Sequence, residues 1–287
     1  MNNKILSIHE VVPNVFRLVI EAPTIAKKAR AGQFVILMSE EDGERLPFTL
    51  CDWDREKGTI TLNILEVGLS TCRIGKMKSG DRLYSVSGPL GRPSTLTEGK
   101  CVFLGGGCYG IGAIYPLARE LKNKGNKVIT AVEGRTDYLL YMKEKLKEVS
   151  DQYYEITVLN PSGRTGKVKD IIEELLSQGE KIDLCYFMGC SFMMMKASEA
   201  TRPHKIKTYV YLDSLMLDGT GMCGCCRVTV GGETKFACVD GPEFDGHQVD
   251  WDEFFLKKGY YFEEEVMVYQ HHNCRRKRES QENGGRV

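Results

Sequence analysis

Between Val15 and Ala22 the even positions Phe16, Leu18, Ile20 and Ala22 are apolar while Arg17 and Glu21 are charged, a period of two that predicts a half-buried strand. Similar short runs at Gln33 to Met38, Thr59 to Leu65 and Arg82 to Val86 predict further strands, and Gly32, Gly43, Gly58, Gly80 and Gly88 punctuate them as turns. No stretch of this first part carries the spacing of an amphipathic helix, so residues 1–98 read as a small antiparallel β-barrel. From Lys100 the rhythm changes. Cys101 to Leu104 is an apolar run that enters a group of glycines, and Ile114, Leu117, Ala118 and Leu121 then recur at helical spacing up to a stop at Gly125. Apolar runs at Lys127 to Val132, Glu155 to Leu159, Asp183 to Met188 and Thr208 to Leu212 alternate with helical stretches, which predicts an α/β domain with a doubly wound parallel sheet over residues 99–212. Residues 213–270 form a segment that begins dense in Cys and Gly. Residues 271–287 are a polar tail containing Arg275-Arg276-Lys277-Arg278, the composition of a solvated or partner-bound extension. No internal repeat is present.

Charge and composition then exclude several classes of function. The 39 basic and 39 acidic residues cancel, so no overall positive field draws in a nucleic acid backbone or an anionic membrane, and neither is expected as a partner. With 42% hydrophobic and 27% charged residues the chain can build a full core, which rules out disorder. The longest uncharged run, Cys101 to Ala118, carries five glycines and Pro116 and suits a phosphate loop better than a lipid span. Met1-Asn2-Asn3-Lys4 opens no export signal, so a cytoplasmic location is expected. Eleven cysteines in that compartment read as free thiols or metal ligands, not as a disulfide framework.

The sharpest chemical signal is Asp218-Gly219-Thr220-Gly221-Met222-Cys223-Gly224-Cys225-Cys226, with eleven residues intervening before Cys238. A [2Fe-2S] cluster takes four anionic ligands from a loop that wraps closely, and Cys223, Cys226 and Cys238 supply three thiolates at that spacing. Asp218 stands where a fourth cysteine would complete it, either as a ligand or as a carboxylate that only caps the turn. Zinc competes, but zinc ribbons use two Cys-x2-Cys knuckles and one is present here unless Cys225 or Cys274 joins; Cys225 is expected to point elsewhere. The second signal is Leu104-Gly105-Gly106-Gly107-Cys108-Tyr109-Gly110-Ile111-Gly112, set between a predicted strand and helix where backbone can approach a pyrophosphate. Glu133-Gly134-Arg135 follows the next strand and reads either as a ribose and phosphate contact or as a charged turn, and Gly189-Cys190-Ser191 ends a later strand at the carboxyl edge where such sheets bind ligands. In the barrel, Arg45-Leu46-Pro47-Phe48-Thr49 places an arginine near a hydroxyl at a strand start, where it can clamp a diphosphate and hydrogen-bond a flavin ring or be a surface arginine beside a turn proline, while Gly68-Leu69-Ser70-Thr71 and Gly88-Pro89-Leu90-Gly91 read as turns.

Barrel, nucleotide domain and terminal cluster loop, in that order, resemble the ferredoxin-NADP reductase superfamily members that end in a [2Fe-2S] domain, with the layout of the dihydroorotate dehydrogenase electron-transfer subunit. That family carries a flavin-binding R-P-x-[ST]. Here Leu46-Pro47-Phe48-Thr49 takes its place, and the arginine stands one position earlier, at Arg45. Where that family has a first cysteine this chain has Asp218, and the stretch from Asp218 through Phe236-Ala237-Cys238 to His247 is similar to the small subunits of NADH-dependent ferredoxin:NADP oxidoreductases, the electron-bifurcating transhydrogenases.

The resemblance implies FAD in the barrel cleft, with Pro47, Phe48 and Thr49 at the isoalloxazine and Gly68, Ser70 and Thr71 near its diphosphate. It implies NAD(H) on the α/β domain, where Gly106, Gly107, Gly110, Ile111, Glu133, Arg135, Gly189 and Cys190 would form the site. It also implies one [2Fe-2S] cluster on residues 213–270, and a larger subunit carrying a second flavin, iron–sulfur clusters and the NADP(H) site, through which ferredoxin is reached. No acid–base residue is required, because hydride transfer turns on orientation and electrostatics. Glu133 favours NAD through a ribose hydroxyl, while Arg135 could accept a 2′-phosphate. His271, His272 and Cys274 fall in a tail expected to contact a partner.

Overall fold

In the computed structural model, which describes residues 3–159 and 163–268, the chain opens with β1 (Ile5–Val12), β2 (Val15–Glu21), α1 (Pro23–Lys28), β3 (Phe34–Met38), β4 (Leu46–Thr49), β5 (Asp52–Asp54), β6 (Thr59–Leu65), α2 (Leu69–Gly75) and β7 (Ser85–Leu90). The strands form two antiparallel sheets, β1-β2-β6-β5 and β4-β3-β7. Their inner faces share one core, in which Leu18, Ile20, Ile60 and Leu62 of the first sheet meet Val35, Leu37 and Val86 of the second. The period of two read at Phe16, Leu18 and Ile20 is the register of β2, where Leu18 and Ile20 are fully buried. Two elements depart from the expectation of an all-strand segment. Helices α1 and α2 are six and seven residues long, too short to show a periodic stripe in the sequence.

The second half builds β8 (Cys101–Gly107), α3 (Gly110–Asn123), β9 (Lys127–Gly134), α4 (Lys143–Glu148), β10 (Gln152–Thr157), α5 (Val168–Ser177), β11 (Leu184–Met188), α6 (Ser191–Thr201) and β12 (Lys207–Tyr211). Strands β10-β9-β8-β11-β12 lie side by side in that order, all parallel. One face packs Phe103, Ile129 and Phe187 against Ile171, Leu175 and Met194 of α5 and α6, and the other packs Val102, Leu104 and Val128 against Ile114, Leu117 and Leu121 of α3. The doubly wound sheet is thus as expected, and the apolar runs without alternation are its central strands, covered on both sides. Strand order reverses between β8 and β11, which opens a crevice above their carboxyl ends.

Beyond Leu212 the chain forms a hairpin, β13 (Arg227–Val230) and β14 (Glu233–Phe236), then β15 (Glu243–Asp245) and α7 (Trp251–Lys258). Strand β15 pairs antiparallel with β12, Val210 opposite Phe244, and so becomes the sixth strand of the α/β sheet. Cys226, Val228, Ala237, Cys238 and Phe254 share a core with Phe187 and Val210, so the terminal segment is continuous with the nucleotide domain. Among the described residues no helix is long and apolar enough to cross a membrane. His271, His272, Cys274 and the basic run of the tail lie outside the described residues.

Candidate functional site

A cleft of about 300 Å³ opens where the barrel meets the crevice above β8 and β11. Pro47, Phe48 and Thr49 of β4 line its barrel wall with Phe34, and Thr71 stands at its edge. Tyr109, Gly110 and Gly189 form the opposite wall, and the floor is the segment from Tyr211 to Ser214 with Met216, which leads directly into the cysteine loop. Apolar walls with few polar groups are the make-up of a small-molecule site. Ser214 Oγ is buried there without a hydrogen-bond partner among the described residues, a polar atom that a planar heterocyclic cofactor with ring nitrogens and carbonyls would satisfy. The residues therefore fit a flavin.

The other barrel candidates take different places. The Thr71 hydroxyl accepts the backbone N–H groups of Val67 and Gly68 and caps α2, and Ser70 is hydrogen-bonded to Glu44, outside the cleft lining. Gly68 is the helix N-cap and carries no strain. Arg45, the arginine expected at the flavin, has its guanidinium on the Leu217 and Asp218 carbonyls and is not among the residues that line the cleft.

In the glycine-rich turn the strand runs through Gly107, Cys108 turns at a φ of 51°, and α3 begins at Gly110. A Cβ on Gly110 would lie 2.0 Å from the Met188 carbonyl oxygen, and one on Gly106 would lie 3.1 Å from Ile111 Cα. These glycines let α3 press onto β8 and the end of β11, which aims its first N–H groups at the crevice. The Ile111 side chain is fully buried in the core against the sheet, and Gly106 and Gly107 are buried as well. Gly189 ends β11 at a φ of 153°, and Cys108 and Cys190 are both exposed at the crevice mouth. The N–H of Val168, the first residue of α5, donates to a Glu133 carboxylate oxygen at 2.8 Å, and burial raises the Glu133 pKa. Arg135 beside it is exposed.

Three further side chains, contributed by distant segments, hold this wall. The Tyr109 hydroxyl lies 2.6 Å from Asp213 Oδ2 and 2.7 Å from the Gly189 carbonyl. Burial, and then Asp213, push that hydroxyl far above its ordinary pKa, so it remains a donor. Lys258 of α7 reaches the same carboxylate and the Ser191 hydroxyl. Tyr141 hydrogen-bonds the Cys108 and Tyr109 carbonyls at 3.1 and 3.2 Å. No local motif marks these residues, because their partners are more than thirty residues away.

In the cysteine loop the four candidate ligands stand as two contacting pairs. Cys223 Sγ lies 3.3 Å from Asp218 Oδ1, and Cys226 Sγ lies 3.2 Å from Cys238 Sγ. Among the described residues no group of three or more such side chains closes on a single metal point. Asp218 accepts the backbone N–H groups of Thr220, Met222 and Cys223 at 2.9–3.0 Å, which holds its carboxyl well below the usual carboxylate range, the Thr220 bond foremost. These are the bonds of a turn-capping carboxylate, and its Oδ1 is also turned to Cys223. Gly219, Gly221 and Gly224 adopt φ of 71–86°, left-handed bends that let the loop turn tightly between the pairs. The Cys225 backbone N–H lowers the Cys223 pKa, and the Cys225 thiol sits beside Cys223 instead of pointing away as expected. Burial and the neighbouring Cys226 push the Cys238 thiol up to about 12. Two separate pairs of soft and anionic donors fit a two-iron cluster, one pair per iron, better than one tetrahedral zinc.

The iron-sulfur cluster binding domain of dihydroorotate dehydrogenase B matches residues 213–250. The chain is 40% identical over 255 residues to a dihydroorotate dehydrogenase B (NAD(+)) electron transfer subunit homolog of Thermotoga maritima, spanning 89% of this chain and 90% of that protein. It is 31% identical over 246 residues to the dihydroorotate dehydrogenase B (NAD(+)) electron transfer subunit of Bacillus mycoides, spanning 82% and 92%. A solved structure described as an NADH-dependent reduced ferredoxin-NADP oxidoreductase engaged in flavin-based electron bifurcation superposes with a TM-score of 0.88 at 39% identity, over 94% of this chain and 98% of that one. With most of its length covered by these relatives and its cysteine loop by the family model, the chain belongs to the family of dihydroorotate dehydrogenase B electron-transfer subunits and their homologues.

Proposed function

We propose that this oxidoreductase subunit exchanges hydride with NAD(H) and relays single electrons between FAD, a [2Fe-2S] cluster and a larger flavin and iron–sulfur subunit, in a complex that couples NADH, NADPH and ferredoxin by electron bifurcation. The observation that carries this is the continuity of the cleft: Leu212, Asp213, Ser214 and Met216 form its floor, and the chain runs from Met216 to Asp218 with one residue between. Flavin converts the two-electron chemistry of nicotinamide into the one-electron chemistry of iron.

The chain's own part is to hold and orient. Pro47, Phe48 and Thr49 would hold the flavin ring, and Ser214 Oγ would meet one of its polar edges. The turn at Gly107 to Gly110 would receive the dinucleotide pyrophosphate at the start of α3, with Tyr109 and Tyr141 fixing the turn. Cys226 with Cys238, and Cys223 with Asp218, would hold one iron each.

Membership in the dihydroorotate dehydrogenase family favours a second reading, an electron-transfer subunit for an NAD-dependent dihydroorotate dehydrogenase. Co-expression with candidate large subunits separates the two: the bifurcating partner is expected to co-purify and to show flavin and iron–sulfur absorption that NADH bleaches. A stable complex with a dihydroorotate-oxidising subunit alone would establish the second reading. Stoichiometric zinc without iron or sulfide would overturn both, in favour of a zinc-binding module that keeps a reductase fold.

A further inference from the structure

Arg45 immediately precedes the strand that lines the flavin cleft, yet its side chain serves another part of the molecule. Its Nε donates to the Leu217 carbonyl, its Nη2 donates to the Asp218 carbonyl at 3.3 Å, and its Nη1 lies 3.4 Å from Met38 Sδ. The two carbonyls belong to adjacent residues, and a planar guanidinium presents two donors to them in a fixed fork that an ammonium does not have. They occur where the cleft floor becomes the cluster loop.

A second contact seats the same point of the loop. Gly219, at a φ of 76°, presses so closely on the barrel that a Cβ would fall 2.6 Å from Ile36 Cδ1 and 2.8 Å from Leu90 Cδ1. Barrel and loop are therefore joined by apolar contact on one side and by the arginine fork on the other.

We propose that Arg45 is a positioning residue of the cluster loop and not a flavin ligand. By fixing the Leu217 and Asp218 peptides it sets where the Asp218 carboxylate and its neighbour Cys223 meet the iron, and it places a permanent positive charge on the barrel side of an anionic cluster. This rests on residues 218–238 holding a [2Fe-2S] cluster.

The test compares Arg45→Gln and Arg45→Lys in the intact complex, reading FAD content, iron and sulfide content, the electron paramagnetic resonance spectrum of the reduced cluster and its midpoint potential. Arg45→Gln is expected to keep its full FAD and its bleaching by NADH, which reports a folded protein. Its cluster signal is expected to change, its potential to fall because a positive charge that favours the reduced form is gone, and its iron to be lost to a chelator about tenfold faster, the weight of one charge-assisted hydrogen bond. Arg45→Lys is expected to restore the potential in part and the signal less. Loss of FAD from Arg45→Gln with an unaltered cluster signal would overturn the proposal and make Arg45 a flavin contact. Full FAD with unaltered signal, potential and iron loss would overturn it too. A native complex without iron and sulfide would instead remove the loop's assignment, and this one with it.

Discussion

Asp218 gathers three backbone N–H groups and one thiol on a single carboxylate, and so ties together the loop that carries Cys223. A carboxylate has lone-pair sites for several donors, whereas a cysteine sulfur is a weak acceptor. Asp218→Cys is expected to retain a cluster with a shifted potential, and Asp218→Ala to leave it labile, both read by iron, sulfide and electron paramagnetic resonance. An unchanged Asp218→Ala signal would leave Asp218 as a turn cap alone. On the opposite wall, Tyr109→Phe removes the hydroxyl shared by Asp213 and Gly189. The expected loss is about 1–2 kcal/mol of stability, seen in thermal unfolding, together with weaker NADH binding by titration of the flavin spectrum. Pro47, Phe48 and Thr49 could be picked out in the sequence because the motif is local and the strand that carries it faces the cleft. Arg45 could not, since adjacency in sequence says nothing of the carbonyls of Leu217 and Asp218 that capture it. Nor could the meeting of Tyr109 with Asp213 and Lys258, which come from segments 104 and 149 positions further along the chain.

At the scale of elements, the central strands β8, β9 and β11 stood out because both of their faces are covered and the sequence shows it as unbroken apolar runs. The short elements were hidden. β13, β14 and β15 have three or four residues each, and β10 begins three residues earlier than Glu155, because its half-buried Tyr153 and Tyr154 carry no clean alternation. Phe244 on β15 is buried opposite Val210. Phe244→Ala is expected to cost about 3–5 kcal/mol by denaturant unfolding, with loss of cluster content as the terminal segment loosens. Close to it, His247 Nε2 lies 2.9 Å from the Thr201 hydroxyl, and burial lowers the ring's pKa below 6.5. A depressed histidine pKa means that the unfolded chain binds the proton more readily. Stability is therefore complete above about 6.5 and is lost as pH falls from there through the folded value. Melting temperature against pH is expected to drop in that window, and the drop to shrink in His247→Gln.

For the whole molecule, the decisive feature is that one cleft is shared by barrel, parallel sheet and the approach to the cysteine loop. Its parts could be named from the sequence in order along the chain, but their convergence could not, because it depends on the Ser94 to Tyr211 and Arg45 to Leu217 contacts between segments more than a hundred residues apart. Removing iron from the complex with a chelator is expected to leave NADH bleaching of the flavin intact and to stop delivery to one-electron acceptors, followed with a dye that takes single electrons. One consequence of the antiparallel sixth strand concerns the chain's solubility during synthesis. Until Glu243 to Asp245 emerge, Tyr209 to Tyr211 offer a bare row of backbone donors and acceptors at the sheet margin. A polypeptide cut short before Glu243 would present this sticky margin permanently and should aggregate, so the last strand serves as a hem as well as a support for the cluster.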